Sequence, residues 1–160
     1  MITRRVAARP LLGVHPAIIL AVLDVIGLLV AGYLSVVELS GGVPTCGIIS
    51  GCEEVAKSQY NNFLGIPVAV FGVLLSVVLL SLALAWWKTD IYGLLLGHYA
   101  LSLVGVFFDG WFLYVQVFVI EAVCIWCVTY EVSLLLRFLI ALVVYLRQPR
   151  PGDADPPAAD

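Results

Sequence analysis

Four apolar runs, each long enough to cross a lipid bilayer, leave this chain few folds to choose from. They cover about residues 18–37, 66–87, 91–120 and 122–146. A helix needs about 20 apolar residues to span the hydrocarbon core. The runs are continuous, whereas a membrane strand would alternate apolar and polar positions. Of the 160 residues, 62% are hydrophobic and 12% charged, which is too little charge to cover a soluble domain of this size. The expected fold is therefore an all-α integral membrane protein, a four-transmembrane-helix bundle making one domain over residues 1–146. A long extracytoplasmic loop, about residues 38–64, joins helices 1 and 2. Residues 147–160, RQPRPGDADPPAAD, are rich in proline and charge and read as a disordered cytoplasmic tail. The first run exceeds the roughly 7–15 apolar residues of a secretory signal core, so it reads as a retained span.

Orientation follows from the basic residues beside the spans, which stay on the cytoplasmic side. Arg4, Arg5, Arg9, Lys88, Arg147 and Arg150 all flank one side, and Lys57 alone lies on the other. The expected protein is a multi-pass cell-membrane protein with both termini cytoplasmic and the 38–64 loop facing outward. That loop holds Cys46 and Cys52. The fourth span starts on the same side, so Cys124 and Cys127, in the stretch VCIWC, lie at its outer end. All four cysteines thus collect at the oxidising face, where disulfides form and persist.

The two pairs differ in character. GIISG separates Cys46 from Cys52 and lets that pair close a disulfide and still move; the following EEVAKSQ reads as a short helical turn lying on the membrane surface. Cys124 and Cys127, at i and i+3, read as sharing one face of a helix. A mobile pair beside a fixed pair at the membrane edge implies a relay by thiolate attack through mixed disulfides. Its final electron acceptor has to be lipid-soluble, which points to a quinone. Two other readings stand beside this one. Both pairs are structural disulfides bracing a non-catalytic four-span scaffold, or the four thiols bind zinc.

Taken together, several motifs resemble those of the vitamin K epoxide reductase family. They are C-x5-C at Cys46 and Cys52, Ser58 six residues later, Tyr60, GIPVAVFG from Gly65 to Gly72, and LYVQVFVIEAVCIWC ending at Cys127. The resemblance runs from the first span through the fourth. It implies a four-helix bundle around a quinone of the menaquinone, ubiquinone or phylloquinone type. It further implies that Cys46 exchanges with an extracytoplasmic thioredoxin-fold partner, expected here as a separate protein, that Cys52 attacks Cys124, and that Cys127 faces the quinone, in support of disulfide bond formation. The same family also suggests the alternative of a quinone or quinone-epoxide reductase in a quinone cycle. Vertebrate members carry a tyrosine where this chain has Glu131, with Tyr130 one step earlier, and a quinone-binding asparagine about where it has Val68. Plain quinone reduction is accordingly expected here. Partners are the soluble thiol protein, the quinone and the bilayer; no nucleic acid and no metal are expected.

Five ionisable residues lie within the spans: Asp24, His98, Asp109, Glu131 and Arg137. Such residues face the bundle interior and pair with one another. Asp24 and Arg137 lie at similar depth, which predicts an ion pair between the first and fourth helices, with His98 able to join. Asp109 and Glu131 lie at about the depth of Cys127 and, with Ser58 and Tyr130, are the candidates for quinone contact or proton relay. The aromatics Trp111, Tyr114, Phe118 and Trp126 read as an interfacial belt.

Overall fold

The computed structural model describes residues 13–46 and 51–147. Four helices are long and apolar enough to cross a membrane: α1 (Pro16–Leu39), α3 (Val68–Thr89), α4 (Tyr92–Val115) and α5 (Ile125–Arg147). A short helix, α2 (Cys52–Lys57), follows the cysteine loop, as the EEVAKSQ stretch predicts, and α4 continues into a π-helical turn, Gln116–Ile120. The spans close a ring in which α1 meets α3 and α5, and α4 meets the same two. The expected tail lies outside the described residues, apart from Arg147.

Two spans begin later than hydropathy alone predicts, each for a local reason. The second apolar run starts at about residue 66, but the residue before a proline avoids helical backbone. Ile66 and Pro67 instead form strand β2, antiparallel to β1 (Asn62–Phe63), and the helix starts at Val68. The turn between the strands places Leu64 and Gly65 at φ 54° and 79°, as a two-residue hairpin requires. The fourth run starts at about residue 122, yet α5 begins at Ile125. Glu121 leaves the π turn in left-handed conformation, φ 56°, and the Ala122 amide donates to the Gln116 carbonyl at 3.0 Å. Residues 122–124 are consequently a non-helical link.

The interior is layered. At the end away from the cysteines, Ala17, Leu20, Ala83, Trp86, Leu95, Ala141 and Val144 pack together. Val30, Ala31, Leu34, Leu79, Tyr130 and Leu134 fill the middle. Between these apolar layers sits the predicted ion pair: Arg137 Nη1 lies 3.4 Å from Asp24 Oδ1, and His98 Nε2 lies 3.2 Å from Asp24 Oδ2. Arg137 also donates to the Ser133 carbonyl at 3.1 Å and to its hydroxyl at 2.7 Å. Three helices are joined through groups that are all but fully buried. Room for the guanidinium comes from Gly27, where a Cβ would overlap it.

Candidate functional site

The cysteine end of the bundle is assembled by three backbone devices. First, the loop is pinned from above α5. Trp126 Nε1 donates to the Thr45 carbonyl at 3.0 Å, the Thr45 amide donates to Tyr33 Oη at 3.4 Å, and the Tyr33 and Trp126 rings lie 4.8 Å apart. Trp126, expected in an interfacial belt, thus holds the residue preceding Cys46. Second, Gly51, just ahead of Cys52, lies against the Val123 backbone, where a Cβ would overlap it. The glycine expected to supply flexibility supplies close approach instead. Third, Cys124 is not on the helix face with Cys127 but caps the helix. Its carbonyl accepts the first intrahelical bond, from the Val128 amide at 3.0 Å, and its Sγ accepts from the Cys127 amide at 3.4 Å. Here sulfur occupies the position that a serine or threonine oxygen fills at other helix starts.

These devices gather the thiols. Cys46 and Cys52 are joined in a disulfide with their Cα atoms 5.9 Å apart, while Cys124 and Cys127 are free. The sulfurs of Cys46, Cys52 and Cys124 all lie within 4.8 Å of one another. The closed disulfide takes two of those three sulfurs, and the third is near enough for thiol–disulfide exchange. Cys52 and Cys124 are each 1% exposed, whereas Cys46 is half-buried. Cys124 precedes the first residue of the spanning helix. Hydrogen bonding from the Cys127 thiol, and then from the Cys127 and Trp126 amides, outweighs burial and brings the Cys124 thiol down to about 7. The shift favours the thiolate, the form that exchanges.

Beneath the thiols lies a cavity of about 310 Å³, within the range of small-molecule pockets. Its walls are mostly apolar: Ala31 and Leu34 from α1, Val68 and Phe71 from α3, Val104 and Phe112 from α4. Cys127, Tyr130, Glu131, Asp109, Glu38 and Asn61 supply the polar groups. A second cavity of about 150 Å³ between α4 and α5 is lined by Asp109 and Glu131 as well, so those two residues stand in the wall between them. Glu38 Oε2, Asp109 Oδ2 and Glu131 Oε2 are buried with no hydrogen-bond partner among the described residues. Tyr130 Oη donates to the Gly72 carbonyl at 3.1 Å and lies 3.4 Å from Ser76 Oγ.

Of the residues singled out from the sequence, Cys127, Tyr130, Glu131 and Asp109 share this cavity, and Cys46, Cys52 and Cys124 cluster beside it. Ser58 does not line the cavity. Its hydroxyl donates to the Val55 carbonyl at 2.8 Å and closes the end of α2. Glu38, Asn61 and Gln116 were missed. Gln116 Nε2 donates to Glu131 Oε1 at 3.1 Å, and its Oε1 accepts from the Cys124 amide at 3.0 Å. One signal could have revealed it: an uncharged polar residue amid LYVQVFVI faces the same desolvation penalty that drew attention to the ionisable ones.

The Gly51 contact is testable. Gly51→Ala forces a Cβ into the Val123 backbone, so the loop pair is expected to retain its disulfide but to exchange with Cys124 far more slowly. Quenched alkylation with mass spectrometry reads that exchange; an unchanged rate means the contact does not set the distance between the pairs.

A model of the vitamin K epoxide reductase family matches residues 18–142, a stretch holding all four cysteines.

Proposed function

The chain belongs to the vitamin K epoxide reductase family, and on that premise we propose that this membrane oxidoreductase oxidises a thioredoxin-fold partner and delivers the electrons to a membrane quinone. The observation that carries the reading is the placing of one sulfur, Cys124, within 4.8 Å of both loop sulfurs, while its neighbour Cys127 lines an apolar cavity.

A partner dithiol attacks the half-buried Cys46 of the Cys46–Cys52 disulfide, and the partner leaves as a disulfide, with Cys46 and Cys52 reduced. Cys52 then attacks Cys124 of a Cys124–Cys127 disulfide and expels Cys127 as thiolate. Attack of Cys46 on Cys52 restores the loop disulfide and releases Cys124. Two electrons and two protons have now passed from the partner to the Cys124–Cys127 pair. A quinone bound in the cavity supplies the sink, leaving as quinol after accepting that pair of electrons and two protons. Cavity size and lining suit a quinone ring, and Cys127 is the thiol from which the electrons leave the protein. Supporting this order, the described state holds the loop pair oxidised and the Cys124–Cys127 pair reduced. In this reading both termini are cytoplasmic and the cysteine face is extracytoplasmic.

Glu131, with Asp109, holds or relays a proton beside the cavity. A positioned acid contributes typically 10²–10⁴-fold, so Glu131→Gln is expected to slow quinone reduction by roughly 10²-fold or more, while thiol exchange between the pairs continues. Stopped-flow measurement of quinol formation over a range of pH checks this; an unchanged rate with an unchanged pH profile removes Glu131 from the role. Ser58, placed at the end of α2, is left with capping.

A further inference from the structure

Gln116 is fully buried at the start of the π turn, and its two ends reach the two chemistries of the site. The Cys124 amide can only donate, so the Gln116 oxygen must face Cys124 and its NH₂ must face Glu131. An NH₂ group in turn can only donate, so Glu131 Oε1 is an acceptor at that contact. A proton on Oε1 pointing toward Gln116 would set donor against donor. Glu131 Oε2, by contrast, is buried without a partner among the described residues, in the wall between the two cavities.

We propose that Gln116 is a positioning residue, which by bridging the Cys124 amide and the Glu131 carboxyl fixes Oε2 of Glu131 as the oxygen that carries its proton. The backbone of Gln116 serves the same arrangement, because its carbonyl accepts from Ala122 at 3.0 Å and closes the link that leads to Cys124. One residue therefore sets the entry to α5 and the direction from which Glu131 gives up or takes a proton. The role in turnover rests on the quinone reading above; the hydrogen-bond geometry does not. Other titratable groups face this region: Asp109 from α4, Glu38 from α1, Cys127 and Tyr130 from α5, and Cys124 at its cap. No titratable side chain from α3 lines the cavity.

The test uses the full chain in lipid nanodiscs. Infrared titration follows the C=O band of protonated Glu131, assigned by its disappearance in Glu131→Gln. Gln116→Met keeps volume and removes both side-chain bonds, so that band is expected to move to higher frequency as its carbonyl oxygen loses a donor. Quinone reduction in Gln116→Met is expected to fall roughly tenfold, the weight of one hydrogen bond to a charged group, with an altered pH profile. In a Glu131→Gln background the same change is expected to add no further loss. Gln116→Glu, which keeps an acceptor for Cys124 but sets acid against acid, provides the band measurement should the methionine variant fail to assemble. A Glu131 band unmoved in both variants, absent at every pH in the parent protein, or losses that multiply independently would overturn the proposal. A parent protein that shows the band and its shift but reduces no quinone would sink the quinone reading and leave the positioning role standing.

Discussion

In a Cys127→Ala variant, quinone reduction driven by a reduced thioredoxin-fold protein is expected to fall to background. Cys127 alone among the four cysteines lines the 310 Å³ cavity, and Cys124, 1% exposed, packs in a cluster with Cys52, Val55 and Phe112. Without Cys127, the Cys124 thiolate can still attack Cys52 of the loop disulfide and expel Cys46 as a thiol, but no second thiol on α5 remains to form the Cys124–Cys127 disulfide that the cavity would reoxidise. Electrons taken from the partner then have no route to the cavity. The check pairs quinol absorbance with mass spectrometry of alkylated protein, in which a Cys52–Cys124 species is expected to accumulate. A variant that turns over like the parent would place the electron exit elsewhere. A scaffold braced by inert disulfides would show no quinone reduction before or after the substitution.

The second large effect concerns stability. Asp24→Ala leaves the Arg137 guanidinium buried with its charge uncompensated, and breaking such a pair costs about 3–5 kcal/mol. His98 cannot substitute, since it brings either no charge or a like one. Removing both charges together, as Asp24→Leu with Arg137→Met, is expected to be far milder, because well-packed apolar residues replace a buried pair at little loss. Reversible unfolding in mixed detergent micelles measures both. Equal destabilisation by the single and double variants would show that packing around Gly27 and Ser133, not charge, holds this layer. Loss of turnover with unaltered unfolding would instead make the cluster part of the redox site.

How far the sequence reaches can be judged from these same residues. Four spans were legible because lipid leaves helices as the only economical use of four continuous apolar runs. Asp24 and Arg137 were legible because depth along a helix is a simple count from its end, and unpaired charges at that depth are disfavoured. The juxtaposition of the cysteine pairs was legible from the parity of the crossings. What stayed hidden depends on rotation and on the local backbone. Pro67 turned the start of an apolar run into a strand, and the left-handed Glu121 delayed α5 to Ile125, which moved Cys124 from a helix face to the cap. The π turn brings Gln116 into contact with Cys124 and Glu131, and no hydrophobic period announces a π turn. Gly51 reads in sequence as freedom of movement, and only the neighbouring Val123 backbone reveals it as contact.

Cys124 at the head of the fourth span has a consequence of its own. The atom that satisfies the free amide of the first turn is also the atom that would change partners in the relay proposed above. Sulfur drawn into a disulfide is a poorer acceptor than a thiolate, so oxidation of Cys124 would weaken the cap on the opening turn of α5. Cys127, Tyr130 and Glu131 all hang from that turn and the one after it. In that relay, a change of partner at the buried Cys124 would reach the residues that line the cavity through the first two turns of α5.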